Sequence, residues 1–71
     1  MIIINDRTTM VKFKIYRDIA GQYRWRLVAR NGEIVATSEA YTTKYSALIS
    51  ARRVKILAAI AIIVDLTTVT S

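Results

Sequence analysis

Hydrophobic and polar residues alternate along residues 11–17 and again along residues 23–30. A period of two puts successive side chains on opposite faces of a β-strand, so each stretch predicts a strand with one apolar face. Matching the two apolar faces in a hairpin requires Ile15 to lie opposite Trp25. The single Trp of the chain is therefore expected in the core.

The opposite face of this hairpin is polar and basic. The same register places Lys14 opposite Arg26 and Tyr16 opposite Arg24, and directly opposed cations destabilise a sheet. A bound anion would relieve that repulsion, and a Tyr on a sheet can stack a base. The candidate anion-binding residues, here called the basic outer face, are Lys12, Lys14, Tyr16, Arg24 and Arg26. A solvated sheet surface is the competing interpretation.

Asn31-Gly32 predicts a two-residue type I′ turn into a third strand, because both residues tolerate positive φ. The turn sets three cross-strand pairs: Val28 with Val35, Arg26 with Thr37 and Arg24 with Glu39. A helix is then expected to begin near Lys44, capped by Thr42 or Thr43. Its apolar stripe consists of Ala47, Leu48, Ala51, Val54 and Ala58.

Residues 61–67 are β-branched and apolar on both faces at their start, which predicts a strand buried within a sheet or at an interface. No Gly or Pro separates this segment from the helix. The boundary between Ile56 and Ala61 therefore stays open, and one longer helix running through Ile63 is the alternative.

A chain of 71 residues forms one domain of marginal stability. It contains no Cys and no His, so we expect no disulfide, metal or cofactor to stabilise it. Association with a second copy is the remaining way to raise its stability. The candidate dimer interface consists of Ile62, Ile63, Val64 and Leu66. No run resembles an export signal, and the longest uncharged apolar run is too short to span a bilayer. We therefore expect a cytoplasmic homodimer with no membrane partner.

The formal net charge of +6 favours encounter with polyanions such as nucleic acid or an acidic membrane surface, with simple solubility as the alternative. Catalysis is not expected. The acidic residues are scattered along the chain, and no nucleophile has a base partner.

A set of short segments along the chain is shared with a known protein family. The segments are Phe13–Asp18, Gly21–Leu27, Asn31-Gly32, Ser38–Tyr41 with Lys44, Val54-Lys55 and Val64–Thr67. In combination they resemble the YegP-like family of small bacterial and archaeal proteins over about residues 10–67. The resemblance implies a β-β-β-α-β unit and a homodimer whose exchanged C-terminal strands form one continuous sheet. It implies no activity, because that family has no established biochemical role. The chain departs from the family pattern at Ile49-Ser50-Ala51, where Asn-Gly-Ile is usual.

The sequence thus predicts an α+β protein with an antiparallel meander packed on one helix. We expect an N-terminal extension at residues 1–9, a single domain at residues 10–67 and a tail at residues 68–71. For the extension, an edge strand at Ile2–Ile4 is the alternative. The expected role is a non-enzymatic homodimeric interaction module. The alternative is sequence-independent binding of nucleic acid, or another polyanion, through the basic outer face.

Overall fold

The computed structural model describes residues 10–67, which form three antiparallel strands and one helix. The elements are β1 (Lys12–Arg17), β2 (Tyr23–Val28), β3 (Ile34–Thr37) and α1 (Lys44–Ile60). The strand order is β1-β2-β3, so β1 and β3 each have one unpaired edge within this sheet. The helix packs on β2 and β1. The predicted α+β meander is confirmed, whereas the predicted extension and tail lie outside the described residues.

The register between β1 and β2 is the predicted one. Ile15 pairs with Trp25, and Lys14 pairs with Arg26. The Trp25 side chain is buried, as expected, and its ring meets the Phe13 ring edge-on, with the centroids 5.0 Å apart and an interplanar angle of 70°. This pair of aromatic rings lies at the centre of the small core.

The connection between β2 and β3 differs from the predicted two-residue turn. The Ala29 N–H donates to the Glu33 carbonyl at 2.8 Å, and the Gly32 N–H donates to the Ala29 carbonyl at 3.0 Å. Gly32 has φ of +90°, a left-handed conformation that glycine adopts without a steric penalty. The loop therefore holds three residues, 30–32, and resembles the turn-plus-bulge hairpin connection.

This longer loop moves the pairing next to it by one residue. Val28 pairs with Ile34, so the predicted pair with Val35 is wrong. The register then shifts between Leu27 and Val28, which makes Val35 an additional residue in β3 and brings the following pairs back to the predicted ones. A bulge thus compensates for the change in loop length.

The helix begins where the cap predicts. The Thr43 side-chain oxygen accepts a hydrogen bond from the Ser46 N–H at 3.0 Å, and α1 starts at Lys44. Of the predicted apolar stripe, Ala47 and Ala51 are buried and Val54 is half-buried, whereas Leu48 and Ala58 are exposed. Packing against the sheet is therefore concentrated in the first half of the helix.

The helix ends at Ile60, and Ala61 has extended backbone angles of φ −73° and ψ 146°. The alternative of one helix through Ile63 is therefore wrong. Residues 61–67 are exposed and belong to no strand of the single chain, so the predicted fourth strand is not formed within the described protomer.

Candidate functional site

Three residues of the basic outer face lie together in the structure. The Arg26 guanidinium stacks over the Tyr16 ring, with its central carbon 4.1 Å from the ring centroid, and the exposed Lys14 pairs with Arg26 across the strands. A cation over an aromatic face is attracted by the negative π-surface of the ring. The stacking covers one face of Tyr16 and fixes the direction of the guanidinium.

Arg26 has one further feature that bears on ligand binding. Its Nε atom is buried and makes no hydrogen bond within the described part of the chain. Burial shields Nε from a ligand in solution, whereas the terminal guanidinium nitrogens have no carboxylate partner among the described residues and retain their donors for an anion. The cluster of Lys14, Tyr16 and Arg26 is therefore the part of the basic outer face best suited to bind a phosphate.

Arg24 is instead bound within the protein. Its Nε donates to the Asp18 carboxylate at 2.8 Å, and a terminal nitrogen donates to the Ser38 carbonyl at 3.3 Å. Asp18 Oδ1 also accepts hydrogen bonds from the Ala20 and Gln22 N–H groups, at 3.0 and 2.9 Å. The hydrogen bond from Arg24, followed by the one from the Gln22 backbone, holds the pKa of the Asp18 carboxyl below its usual value. The charge of Arg24 is thus balanced by Asp18, whereas the sequence suggested Glu39 as its partner.

Lys12 lines a groove between β1 and the helix. The groove has a volume of about 440 Å³. Apart from Lys12, its sheet side is apolar and consists of Val11, Phe13, Ile15 and Leu27. Its helix side combines the apolar Leu48 and Ala51 with the cations Arg52 and Lys55. We call it the apolar groove. It follows the unpaired edge of β1, so an extended peptide placed there could gain both hydrogen bonds and apolar contacts.

The residues predicted to form a dimer interface are the most exposed large apolar side chains near the end of the described chain. The C-terminal segment, defined as residues 61–66, begins in an extended conformation after the helix. Ile62 is 82% exposed and Ile63 is 98% exposed, and Val64 and Leu66 are exposed as well. Contiguous apolar surface of this kind usually marks an interaction site.

Ser50 is a structural residue that the sequence patterns did not identify. Its hydroxyl oxygen accepts hydrogen bonds from the Trp25 indole N–H at 2.9 Å and from the Tyr41 hydroxyl at 2.8 Å. A small polar residue at this place lets the helix approach the sheet and satisfies the buried indole. The signal for it was its position between Ala47 and Ala51 on the packed side of the helix.

Within residues 10–67, no group of three or more acidic residues could hold a metal ion, and no helix has the length and apolarity needed to cross a membrane. The described surface therefore offers two candidate sites. One is the Lys14, Tyr16 and Arg26 cluster, and the other is the apolar groove with the free edge of β1.

Comparison with known proteins agrees with this fold. The family model described as "Domain of unknown function (DUF1508)" matches residues 18–65. The UPF0339 protein Atu0232 of Agrobacterium fabrum is 48% identical over 62 residues, a span of 87% of this chain and 100% of the relative.

Two solution NMR structures are similar to the described fold. That of protein ATU0232 from Agrobacterium tumefaciens matches with a TM-score of 0.67 and 48% identity, over 87% of this chain and 100% of that one. That of a protein from Haloferax volcanii matches with a TM-score of 0.69 and 38% identity, over 78% of this chain and 93% of that one. With residues 18–65 matched by the family model and the fold shared with these relatives, the chain belongs to the DUF1508, or YegP-like, family of domains of unknown function.

Proposed function

We propose that this protein is a non-enzymatic interaction module that works as a homodimer. In the proposed dimer, the C-terminal segment of each copy adds as a strand to the free edge of β1 of the other copy and covers its apolar groove. The observation that carries the proposal is the exposure of Ile62, Ile63, Val64 and Leu66 in a chain that also leaves a β-edge and an apolar groove uncovered.

The alternation within the C-terminal segment fits this arrangement. In an extended strand, Ile62, Val64 and Leu66 point to one face, while Ile63 and Asp65 point to the other. The first set would fill the groove, whose lining includes Phe13, Ile15 and Leu27 of the sheet. β-branched residues are also favoured in strands. Pairing with β1 would satisfy the unpaired backbone groups of both strands.

The burial of two exchanged segments is of the same order of magnitude as the cost of association. Burying one Ile, Val or Leu side chain contributes roughly 1.5–3 kcal/mol, and reciprocal exchange buries the segments of both copies. Association of two proteins costs on the order of 4–15 kcal/mol in lost freedom and ordering. The exchanged segments can therefore offset the cost of association, whereas one segment alone would be marginal.

The experiment that tests this proposal is a truncation after Ala61, with removal of residues 68–71 alone as the matched control. The full chain and the control should sediment as dimers, and the chain truncated after Ala61 should sediment as a monomer. Hydrogen exchange should show that the β1 amides facing away from β2 are protected in the dimer and exchange rapidly in the truncated monomer. A folded dimer that persists after the truncation would refute strand exchange.

A point variant keeps the test informative if the truncated chain fails to fold. Val64→Asp would place a charge in the groove, where burial of an uncompensated charge is costly, so the dimer dissociation constant should rise by more than about 100-fold. Thr67→Asp introduces the same side chain just beyond the segment and should leave the dimer intact. Equal dissociation constants for the two variants would contradict the proposed position of Val64.

A second function is supported by the cluster of Lys14, Tyr16 and Arg26: sequence-independent binding of a polyanion such as nucleic acid. Arg26 is held on the Tyr16 ring beside an exposed Lys14, and no described carboxylate forms an ion pair with its guanidinium. Such cations contact phosphates and make affinity fall steeply as salt concentration rises.

The test is fluorescence anisotropy of labelled single- and double-stranded oligonucleotides at low and moderate salt. The Lys14→Glu, Arg26→Glu double variant should abolish binding while the protein stays folded. The Arg52→Glu, Arg53→Glu double variant changes the net charge equally on the helix and should retain most of the affinity. Equal losses in both variants would show a general charge effect in place of a site.

A further inference from the structure

The outward side of the helix carries a second apolar stripe that the packing of the fold does not use. An α-helix turns by about 100° per residue, which places four apolar residues within an arc of about 60° on the helical wheel. That arc lies opposite Ala47 and Ala51, the buried residues of the helix. The members of this outer stripe are Tyr45, Ile49, Ile56 and Ile60. Tyr45 is 71% exposed, Ile56 59% and Ile60 74%, whereas Ile49 is 36% exposed, so the stripe faces solvent mainly in the first turn and in the last two turns of the helix.

Cations flank this stripe on both sides. Arg52 and Arg53 are exposed, and on the helical wheel they lie about 50° to either side of the centre of the stripe. The whole helix contains four cations, namely Lys44, Arg52, Arg53 and Lys55, and no acidic residue. This helix has apolar residues on the side that packs against the sheet and also on the side that faces solvent. The solvent-facing residues need an apolar environment other than the sheet.

We propose that the outer stripe is a peripheral binding surface for anionic phospholipid membranes. A planar anionic surface can contact both arginines at once while the stripe between them enters the boundary between headgroups and acyl chains. The stripe extends over about 22 Å of helix, since the helix rises 1.5 Å per residue, so it can span several lipid headgroups. The absence of any acidic residue from the helix favours this occupant over a protein surface of mixed charge.

The proposal revises the expectation of no membrane partner, which rested on the lack of a run long enough to span a bilayer. A helix that lies in the interface plane needs no such run. The four apolar residues of the outer stripe belong to neither the C-terminal segment nor the basic outer face. Arg52 also lines the apolar groove, so the oligomeric state of each variant is measured separately.

The test is co-sedimentation of the full chain with phosphatidylcholine vesicles that contain or lack phosphatidylglycerol. The protein should bind the anionic vesicles at low salt and should not bind the zwitterionic ones. Each Lys or Arg near an anionic surface strengthens binding about fivefold, so Arg52→Gln, Arg53→Gln should weaken binding about 25-fold. Arg17→Gln, Arg30→Gln removes two exposed charges from the sheet side, outside the Lys14, Tyr16 and Arg26 cluster, and is the matched control, with binding expected to change less than about threefold.

The apolar contribution needs its own variants. Ile56→Gln and Tyr45→Gln should each weaken binding to anionic vesicles, and Tyr45 at the first turn is far along the helix from the C-terminal segment. Ile19→Gln is the control, because Ile19 is a fully exposed apolar residue in the β1–β2 loop. Sedimentation of each variant without vesicles ensures that a change in oligomeric state is not mistaken for lost lipid contact.

Three results would overturn the proposal. They are no binding to anionic vesicles at low salt, binding that Tyr45→Gln and Ile56→Gln leave unchanged, and binding that the Arg17 and Arg30 variant weakens as much as the Arg52 and Arg53 variant. The last result would assign the anion contact to the sheet.

Discussion

The two ends of this molecule are built from the same hairpin and the same helix, yet they are packed differently. At the closed end, defined as residues 18–25 and 38–51, Trp25 and Tyr41 both donate to Ser50, and the Tyr23 and Tyr41 backbones exchange two hydrogen bonds of 2.7 Å. At the open end, defined as residues 10–13 and 52–67, Ile56, Leu57 and Ile60 are exposed.

The difference follows from the sizes of the residues on the helix. Ala47, Ser50 and Ala51 are small, so the first half of the helix can approach the sheet closely and bury the indole. The second half carries large aliphatic residues for which the described chain provides no covering layer. Hydrophobic residues make up 54% of the sequence, but only four of them are buried in the described protomer. The described protomer therefore leaves most of its apolar residues at least partly exposed, which is consistent with the association proposed above.

The largest expected effect comes from removing the centre of the closed end. Trp25→Ala deletes the buried ring that contacts Phe13 and donates to Ser50, and should lower the free energy of unfolding by about 3–5 kcal/mol. Urea denaturation followed by circular dichroism measures this loss. Ile19→Ala, in an exposed loop, should change stability by less than about 0.5 kcal/mol. A small loss for Trp25→Ala would mean that the closed end is not the stable part of the fold.

Loss of the Ser50 hydroxyl should have an intermediate effect. Ser50→Ala leaves the Trp25 indole N–H and the Tyr41 hydroxyl without their acceptor, and should cost about 1–3 kcal/mol of unfolding free energy. Ser46→Ala makes the same substitution one turn earlier, where the backbone N–H still bonds to Thr43, and should be close to neutral. Tryptophan fluorescence should shift only in the Ser50 variant, because only that change exposes the indole N–H.

Paired glycine variants compare the two halves of the helix directly. Ala47→Gly and Ala58→Gly both lose about 1 kcal/mol of helix propensity. Ala47 is fully buried and Ala58 is exposed, so the first variant should lose about 0.8 kcal/mol more for its buried methyl group. Thermal unfolding of both variants at one protein concentration gives this difference. Equal losses in the full-length protein would contradict this difference in burial and would mean that another copy covers Ala58.

Local sequence patterns predicted most of the structure of the closed end. Alternation gave the β1–β2 register, including Ile15 opposite Trp25, because a shift by one residue would expose every apolar side chain of the hairpin. Thr43 capped the helix because its side chain can bond the free N–H groups of the first turn. Both signals depend only on nearby residues.

The predictions from the sequence were wrong where the structure depends on a distant contact or on a choice between similar loops. Asn-Gly suits a two-residue turn, but here Gly32 takes the left-handed position of a three-residue loop, and the bulge at Val35 compensates for the extra residue. The partner of Arg24 could not be inferred from cross-strand spacing, because Asp18 reaches it from the preceding loop. For the same reason, alternation placed five residues on the basic outer face but did not reveal which of them remain available for an anion.

The ion pair at the closed end should have the smallest and most pH-dependent effect. The pKa of Asp18 is lowered in the folded protein by the Arg24 hydrogen bond, so the ionised carboxylate stabilises the fold above the unfolded-state pKa of about 3.9. That stability should be lost as the pH falls through the lowered folded-state pKa. Asp18→Asn retains an oxygen acceptor for the Ala20 and Gln22 N–H groups but removes the charge facing Arg24. The melting temperature of the variant should therefore lie slightly below that of the wild type near neutral pH and approach it in acid. A constant difference between the two proteins from neutral pH to below about pH 3 would mean that the side-chain shape of Asp18, and not its charge, stabilises the loop.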